Sequence, residues 1–202
     1  ALFRAIPDME IMTAVSANDL RLCFAWAVER GTSVMIRYPK LSCPTELPQF
    51  SEPVEFGRGI FVPCSEFVIE NISEKELESR EHKVLVVCTG GIYSEVQKAI
   101  RAVLLEDGYA DLYILRFIKP FDESYFIEIA KKYYGIVFVE DGIAEGGAGE
   151  YLNQLVLKNG ITNTRVMGFE DRFYSHGTRE QVLSDAKLSV SDIKETILKC
   201  AK

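Results

Sequence analysis

The chain has 202 residues, with 23 Lys and Arg against 30 Asp and Glu, a formal net charge of −7. Apolar residues make up 48% and aromatic residues 11%, with no low-complexity stretch, which excludes a disordered chain and provides for a real core. The acidic balance argues against an electrostatic nucleic-acid binder, which needs a basic face, and no apolar run reaches the ~20 residues that span a bilayer. By length the chain is one domain, or one domain plus part of another.

Residues 1–40 form one unit. The opening Ala1-Leu2-Phe3-Arg4-Ala5-Ile6-Pro7 has no initiator Met and no signal-peptide pattern, and it reads as the middle of a structure, so a fragment of a longer protein is expected. Ile11 and Met12 predict a short strand. Ser16 opens a helix with Asp19 as its capping-box acid, and Leu20, Cys23, Phe24, Ala27 and Val28 form an apolar stripe at helical spacing. Gly31 ends this helix, and Val34 to Tyr38 is a strand stopped by Pro39. Strand–helix–strand is the rhythm of an α/β layer.

Residues 41–82 change character. Pro44, Pro48, Pro53 and Pro63 interrupt them, so the stretch is taken as a linker, with a possible short strand over 57–62. The charge run 73–83 is most simply a solvated turn or helix face.

The α/β rhythm returns at residue 83. Val84 to Cys88 is a fully apolar strand of the kind buried on both faces of a parallel sheet, and Thr89-Gly90-Gly91 turns the chain. A helix over about 93–106, a strand over 112–117 and a helix after Pro120 and Asp122 follow. Ile136 to Val139 is another buried strand, followed by a Gly-rich turn and a helix through Tyr151, Leu152, Leu155 and Val156. A strand over 164–168 and two helices, about 178–186 and 191–200, close the chain. The pattern predicts a mostly parallel sheet with helices on both faces.

Several residues are candidates for chemistry. Arg37 sits at the carboxyl end of a predicted strand, where open α/β sheets bind ligands; its guanidinium suits a phosphate, with Lys40 as a second charge. Spacing alone favours a surface ion pair for Arg37. Gly146-Gly147-Ala148-Gly149 opens a helix, but Glu140, Asp141, Glu145 and Glu150 crowd it and would repel a phosphate, so close packing of helix on sheet is the better account. Glu140 and Asp141 are a weak candidate for a carboxylate pair, and His176 more often fits a structural histidine than a proton shuttle. Five cysteines without a Cys-x-x-Cys spacing fit reduced thiols of a cytoplasmic protein, and two histidines make a His-rich metal site unexpected.

Family resemblance goes further. Arg116-Phe117-Ile118-Lys119-Pro120-Phe121-Asp122 resembles the Arg-Phe-x-Lys-Pro-Leu-Asp segment of the 1-deoxy-D-xylulose-5-phosphate synthases. Val139-Glu140-Asp141-Gly142 with Gly146-Gly147-Ala148-Gly149 resembles that family's Glu-Glu-Asn…Gly-Gly-x-Gly stretch, and Asp171-x-Phe173-x-x-His176-Gly177 its tail. Ile6-Pro7-Asp8-Met9 with Ile11-Met12, and Ile36-Arg37-Tyr38-Pro39, resemble the end of its pyrimidine-binding domain. The motifs keep the family's order over nearly the whole chain. The chain departs from the family in four places: Lys40-Leu41 stands where the family has Arg-Gly, Lys187-Leu188 where it has Gly-Leu, the linker with the charge run 73–83 is longer, and Val87-Cys88-Thr89-Gly90 differs from the family's Gly-containing turn.

The resemblance implies a fold and a parent reaction. Residues 1–40 would be the end of a pyrimidine-binding α/β domain, 41–82 a linker, and 83–202 a three-layer α/β/α transketolase C-terminal-like domain with a mostly parallel sheet. The parent enzyme condenses pyruvate with glyceraldehyde 3-phosphate to 1-deoxy-D-xylulose 5-phosphate and CO2, using thiamine diphosphate and Mg2+, for isoprenoid and thiamine synthesis. Arg37 would bind the aldehyde's phosphate, with Lys40 beside it. No catalytic, cofactor-binding or metal-binding residue is assigned within this chain. The diphosphate- and Mg2+-binding domain and the Glu that activates the cofactor would lie outside it, so the isolated chain is expected to be inactive. Its expected partners are a second copy, through the C-terminal domain, and the missing N-terminal domains, in the cytoplasm without nucleic acid or membrane. Two alternatives remain open: a small subunit of a split transketolase, and a non-catalytic regulatory or assembly module on the same fold.

Overall fold

The computed structural model describes residues 2–68 and 72–202; Ala1 and residues 69–71 of the predicted linker lie outside the described residues. Two sheets organise the chain. The smaller sheet has three strands, β1 (Glu10–Thr13), β2 (Val34–Arg37) and, from far along the chain, β6 (Phe117–Lys119). The larger has five: β3 (Ile60–Val62), β4 (Val84–Thr89), β5 (Ala110–Leu115), β7 (Gly135–Ile143) and β8 (Thr164–Phe169).

In the larger sheet the order is β3-β5-β4-β7-β8. β4 pairs in parallel with both β5 and β7, β7 pairs in parallel with β8, and β3 joins antiparallel at the β5 edge. Every residue of β4 and β5 is buried, as expected for strands covered on both faces. Alternation along β4 separates the two cores. Val84, Val86 and Cys88 pack with helices α3 (Tyr93–Leu104), α6 (Arg179–Asp185) and α7 (Val190–Cys200). Leu85 and Val87 face the other way, against α4 (Glu123–Ala130) and α5 (Ala148–Lys158). This is the predicted three-layer, mostly parallel α/β arrangement.

The described residues of the 41–82 stretch hold more regular structure than its prolines suggest. Phe50 and Phe67 are fully buried in the first of those cores, and β3 supplies an edge strand. Within the charge run, a short helix α2 (Glu74–Ser79) buries Leu77, and Arg80 donates to the carbonyls of Leu104 (2.9 Å) and Gly108 (2.7 Å) at the end of α3. The run is therefore only partly a solvated face, because one apolar and one basic side chain fasten it to the core.

The smaller sheet has the order β2-β1-β6. β1 and β2 are parallel, with helix α1 (Ala17–Arg30) between them in sequence, and Thr13 stands opposite Arg37. Only part of the apolar stripe expected on α1 is buried: Leu20 and Cys23 face the small-sheet core, but Phe24 and Val28 do not. Cys23 and Asp19 point inward, whereas Phe24 and Val28 are 64% and 69% exposed. The inward face instead continues to Trp26, whose ring meets Phe117 of β6 edge-on at 5.1 Å.

A second difference explains the first. The predicted strand over 112–117 is two strands in two sheets: β5 ends at Leu115, β6 begins at Phe117, and Arg116 makes the crossing. Asp19 is not a capping-box acid. Ser16 caps α1 by accepting from the Asp19 N–H, but the Asp19 carboxylate accepts from Val15 N–H (2.9 Å) and from Arg116 Nε (2.8 Å). Both charges are buried, with 0% and 3% of their side chains exposed. The remaining Arg116 nitrogens donate to the carbonyls of Pro53 (3.0 Å) and Glu52 (3.2 Å), so the guanidinium is fully engaged. Burial pushes the Asp19 carboxyl above its ordinary value, while Arg116 and the Val15 N–H pull against that shift.

Removing one partner of this pair leaves a buried charge without compensation. Asp19→Ala and Arg116→Met are each expected to cost about 3–5 kcal/mol in urea unfolding. The double variant should lose less than the sum of the two, because the second change removes the orphaned charge left by the first. Thiol chemistry offers a second check. Burial pushes Cys23 and Cys64 up to about 12 and also raises Cys88 and Cys200, whereas Cys43 is exposed. Iodoacetamide at pH 8, followed by mass spectrometry, should label Cys43 alone in the folded protein and all five cysteines after unfolding.

Candidate functional site

The two sheets meet at a seam, and the site lies there. Gly90, just after β4, passes so close to the Ala14 carbonyl that a Cβ could not be accommodated. The Thr89-Gly90-Gly91 turn is thus tight for a packing reason, since it lets the backbones of the two units touch. β2 delivers Arg37 to this seam at its carboxyl end, and the Ala14 N–H donates to the Arg37 carbonyl (3.1 Å). β7 delivers Glu140 and Asp141 from the other side.

Arg37 is in an ion pair and also lines a cleft. Its Nη2 lies 3.0 Å from Asp141 Oδ2 and donates to the Asp141 carbonyl at 2.7 Å. The other Asp141 carboxylate oxygen accepts from the Thr89 hydroxyl at 2.7 Å, which fixes the carboxylate against the end of β4. With 41% of its side chain exposed, Arg37 borders a cavity of about 310 Å³ together with Lys40, Gly91, Asp141 and Arg179. Arg37 and Lys40, the two residues expected to bind substrate, therefore share one cavity. On its other side Arg37 borders a larger, more apolar hollow of about 550 Å³, walled by Phe3, Met35, Ile118 and Ile143.

Glu140 and Asp141 do not form a catalytic pair. Alternation along β7 sends them in different directions. The buried Glu140 carboxylate accepts from the backbone N–H groups of Ala148 and Gly149, both at 3.2 Å, at the start of α5. Burial raises the Glu140 pKa, and those two N–H groups pull it back. The Gly-rich turn is consequently filled by the chain's own carboxylate, since a Cβ at Gly147 would collide with Glu140. His176 lies exposed on the loop before α6 and does not line the cavity.

The glycine-rich turn does not fit the diphosphate of thiamine diphosphate. The glycine-rich turn that might cradle a diphosphate holds Glu140 instead, and among the described residues no three His, Cys, Asp or Glu side chains gather as a metal site.

Sequence reasoning missed Thr89 and Arg179. Thr89 is an ordinary strand-end residue whose role appears only when β7 lies beside β4. Arg179 is separated from Arg37 by most of the chain, and no local spacing links them.

Residues 73–193 match the family described as transketolase, C-terminal domain. A 1-deoxy-D-xylulose-5-phosphate synthase of Treponema pallidum (strain Nichols) is 39% identical over 194 residues, 96% of this chain and 29% of that protein. The synthase of Erwinia tasmaniensis is 27% identical over 202 residues, 98% of this chain and again 29% of its own length. Among solved structures, one described as a split gene transketolase, inactive beta4 tetramer, superposes with a TM-score of 0.80 at 20% identity, covering 99% of this chain and 60% of that one. The chain thus spans less than a third of the length of the curated relatives it matches. With more than half of its length matched by one family, and with that family's mostly parallel sheet, this chain belongs to the transketolase family and carries a C-terminal domain like that of the 1-deoxy-D-xylulose-5-phosphate synthases.

Proposed function

We propose that this chain serves as the C-terminal portion of a 1-deoxy-D-xylulose-5-phosphate synthase, with Arg37 as the group that grips the phosphate of glyceraldehyde 3-phosphate and Lys40 as a second charge. The observation that carries this reading is the position of the Arg37 guanidinium, at the carboxyl end of β2 and on the wall of a cleft it shares with Lys40. The likeness to the synthases over 96% of the chain supports it.

In the parent reaction pyruvate loses CO2, and its remaining two carbons join the aldehyde carbon of glyceraldehyde 3-phosphate to give 1-deoxy-D-xylulose 5-phosphate. The phosphate is distant from the bond being made, so its contacts contribute binding and orientation rather than bond chemistry. A guanidinium held by Asp141, whose carboxylate is fixed in turn by the Thr89 hydroxyl, already borders the cleft, so little side-chain freedom is lost when the anion arrives.

Thiamine diphosphate and Mg2+ would be held by the rest of the enzyme. The same proposal includes a homodimer formed through the C-terminal domain, with the exposed Phe24 and Val28 of α1 covered by the remainder of the protein.

Arg37→Ala in the complete enzyme is expected to raise KM for glyceraldehyde 3-phosphate and leave KM for pyruvate unchanged. The loss of a charge-assisted contact is worth about 1.5–3 kcal/mol, or roughly ten- to a hundredfold in KM. An unchanged KM would instead favour a non-catalytic module. For the isolated chain, isothermal titration with thiamine diphosphate and Mg2+ should show no tight binding, and no product should form from pyruvate and glyceraldehyde 3-phosphate. Micromolar cofactor binding by the chain alone would contradict that part of the proposal.

A further inference from the structure

We propose that Arg179 is a second guanidinium of the anion cleft, so that a phosphate monoester is held between Arg37 from one sheet and Arg179 from the helical layer of the other. This inference rests on the role proposed above for Arg37 and adds a residue that neither the sequence motifs nor the comparisons assign.

Three observations converge on Arg179. It lines the same cavity as Arg37 and Lys40, which therefore has three basic residues on its wall and Asp141 as its acid. It is held in place by three contacts: Nη2 donates to the Gly91 carbonyl (2.7 Å) and to Glu95 Oε2 (3.2 Å), and Nε donates to Glu95 Oε1 (3.3 Å). Gly91 lies directly against the Asp141 carboxylate, with no room for a Cβ between them. The two guanidiniums are thus anchored to adjoining parts of one floor, Arg37 on Asp141 and Arg179 on Gly91.

The hydrogen-bond pattern leaves donors for a ligand. Among the described residues, Arg37 uses only Nη2, and Arg179 uses Nη2 and Nε. Nη1 of both has no protein partner among those residues. A guanidinium anchored on one edge with its other nitrogen unengaged is preorganised for an oxyanion. The three terminal oxygens of a phosphate monoester can accept from both guanidiniums and from Lys40 together, which suits three separate cations on one wall better than the two oxygens of a single carboxylate. Glu95 and Asp141 are then positioning residues, each holding one guanidinium.

Inorganic phosphate titrated into this chain, followed by 31P line broadening and calorimetry at low ionic strength, tests the assignment. Saturable binding is expected, weakened about tenfold by Arg179→Gln and by a comparable factor by Arg37→Ala. Glu95→Gln distinguishes charge from scaffolding, because it releases Arg179 without removing the cation. Binding should then persist or tighten in Glu95→Gln while it falls in Arg179→Gln. Equal losses in both variants would make Arg179 merely structural and overturn the inference. Unchanged binding in Arg179→Gln alongside a loss in Arg37→Ala would overturn it and leave the role of Arg37 intact. Binding indifferent to both arginines, or no saturable binding at all, would overturn both.

Discussion

The geometry of the seam depends on the buried pair between Asp19 and Arg116. The chain passes from the five-stranded sheet to the three-stranded sheet across a single residue, Arg116, whose carbonyl accepts from Thr13 N–H at 2.9 Å. Such a crossing would leave a buried guanidinium in search of acceptors. Asp19 and two backbone carbonyls of the 41–82 stretch supply them. One side chain thereby fixes three segments: the start of α1, the β5–β6 crossing and the connection between the sheets. A buried ion pair of this kind adds little net stability over an apolar replacement, but it leaves the two sheets one well-defined way to meet. β2 ends at the cleft only if β1 is docked against β6, and that docking carries the Arg116 crossing within it.

Charge is distributed along the seam in layers. The fully buried layer is neutralised internally by Asp19 with Arg116. The half-buried layer is neutralised only in part, because Arg37 meets Asp141 and Arg179 meets Glu95 while both keep unengaged nitrogens. Lys40, also on the cleft wall, is exposed. Desolvation explains this order, since an unpaired charge is too costly at depth and becomes tolerable where water or a ligand can reach it.

Much of the fold was legible because buried parallel strands carry a strong local signature. Val84 to Cys88 and Ile136 to Val139 could hardly be anything else, and the helices around them show their apolar faces plainly. What failed to show were features set by distant partners. Ser16-x-x-Asp19 and Ser189-x-x-Asp192 are the same local pattern. At Ser189 the acid closes a capping box; at Ser16 the acid turns away to Arg116. Likewise Arg116, within an apolar run, looks like one polar residue in a strand rather than the point where a strand changes sheets. The exposed side of α1 could not be told from its buried side, because the direction of burial is set by β6, which arrives about a hundred residues later. At Lys187 the resemblance carried structural content that the chain itself conceals: the position has φ 55°, a left-handed conformation natural to the Gly of the resembling synthases, and Leu188 beside it is fully buried.

The two acids near the end of β7 favour the proposed anion cleft at the seam over the glycine-rich turn. A helix N-terminus after a parallel strand is the usual place for an anion, because its N–H groups are unpaired and its dipole is favourable. Here Glu140 occupies that place from within, accepting the N–H groups of Ala148 and Gly149. An incoming phosphate would have to displace a buried carboxylate and then leave that charge uncompensated. Asp141, one residue on, points the opposite way and draws Arg37 to the end of the sheet. Alternation along a single strand therefore fills the glycine-rich turn and builds the wall of the cleft proposed to hold the anion. The open site is the one that cations from both sheets can reach.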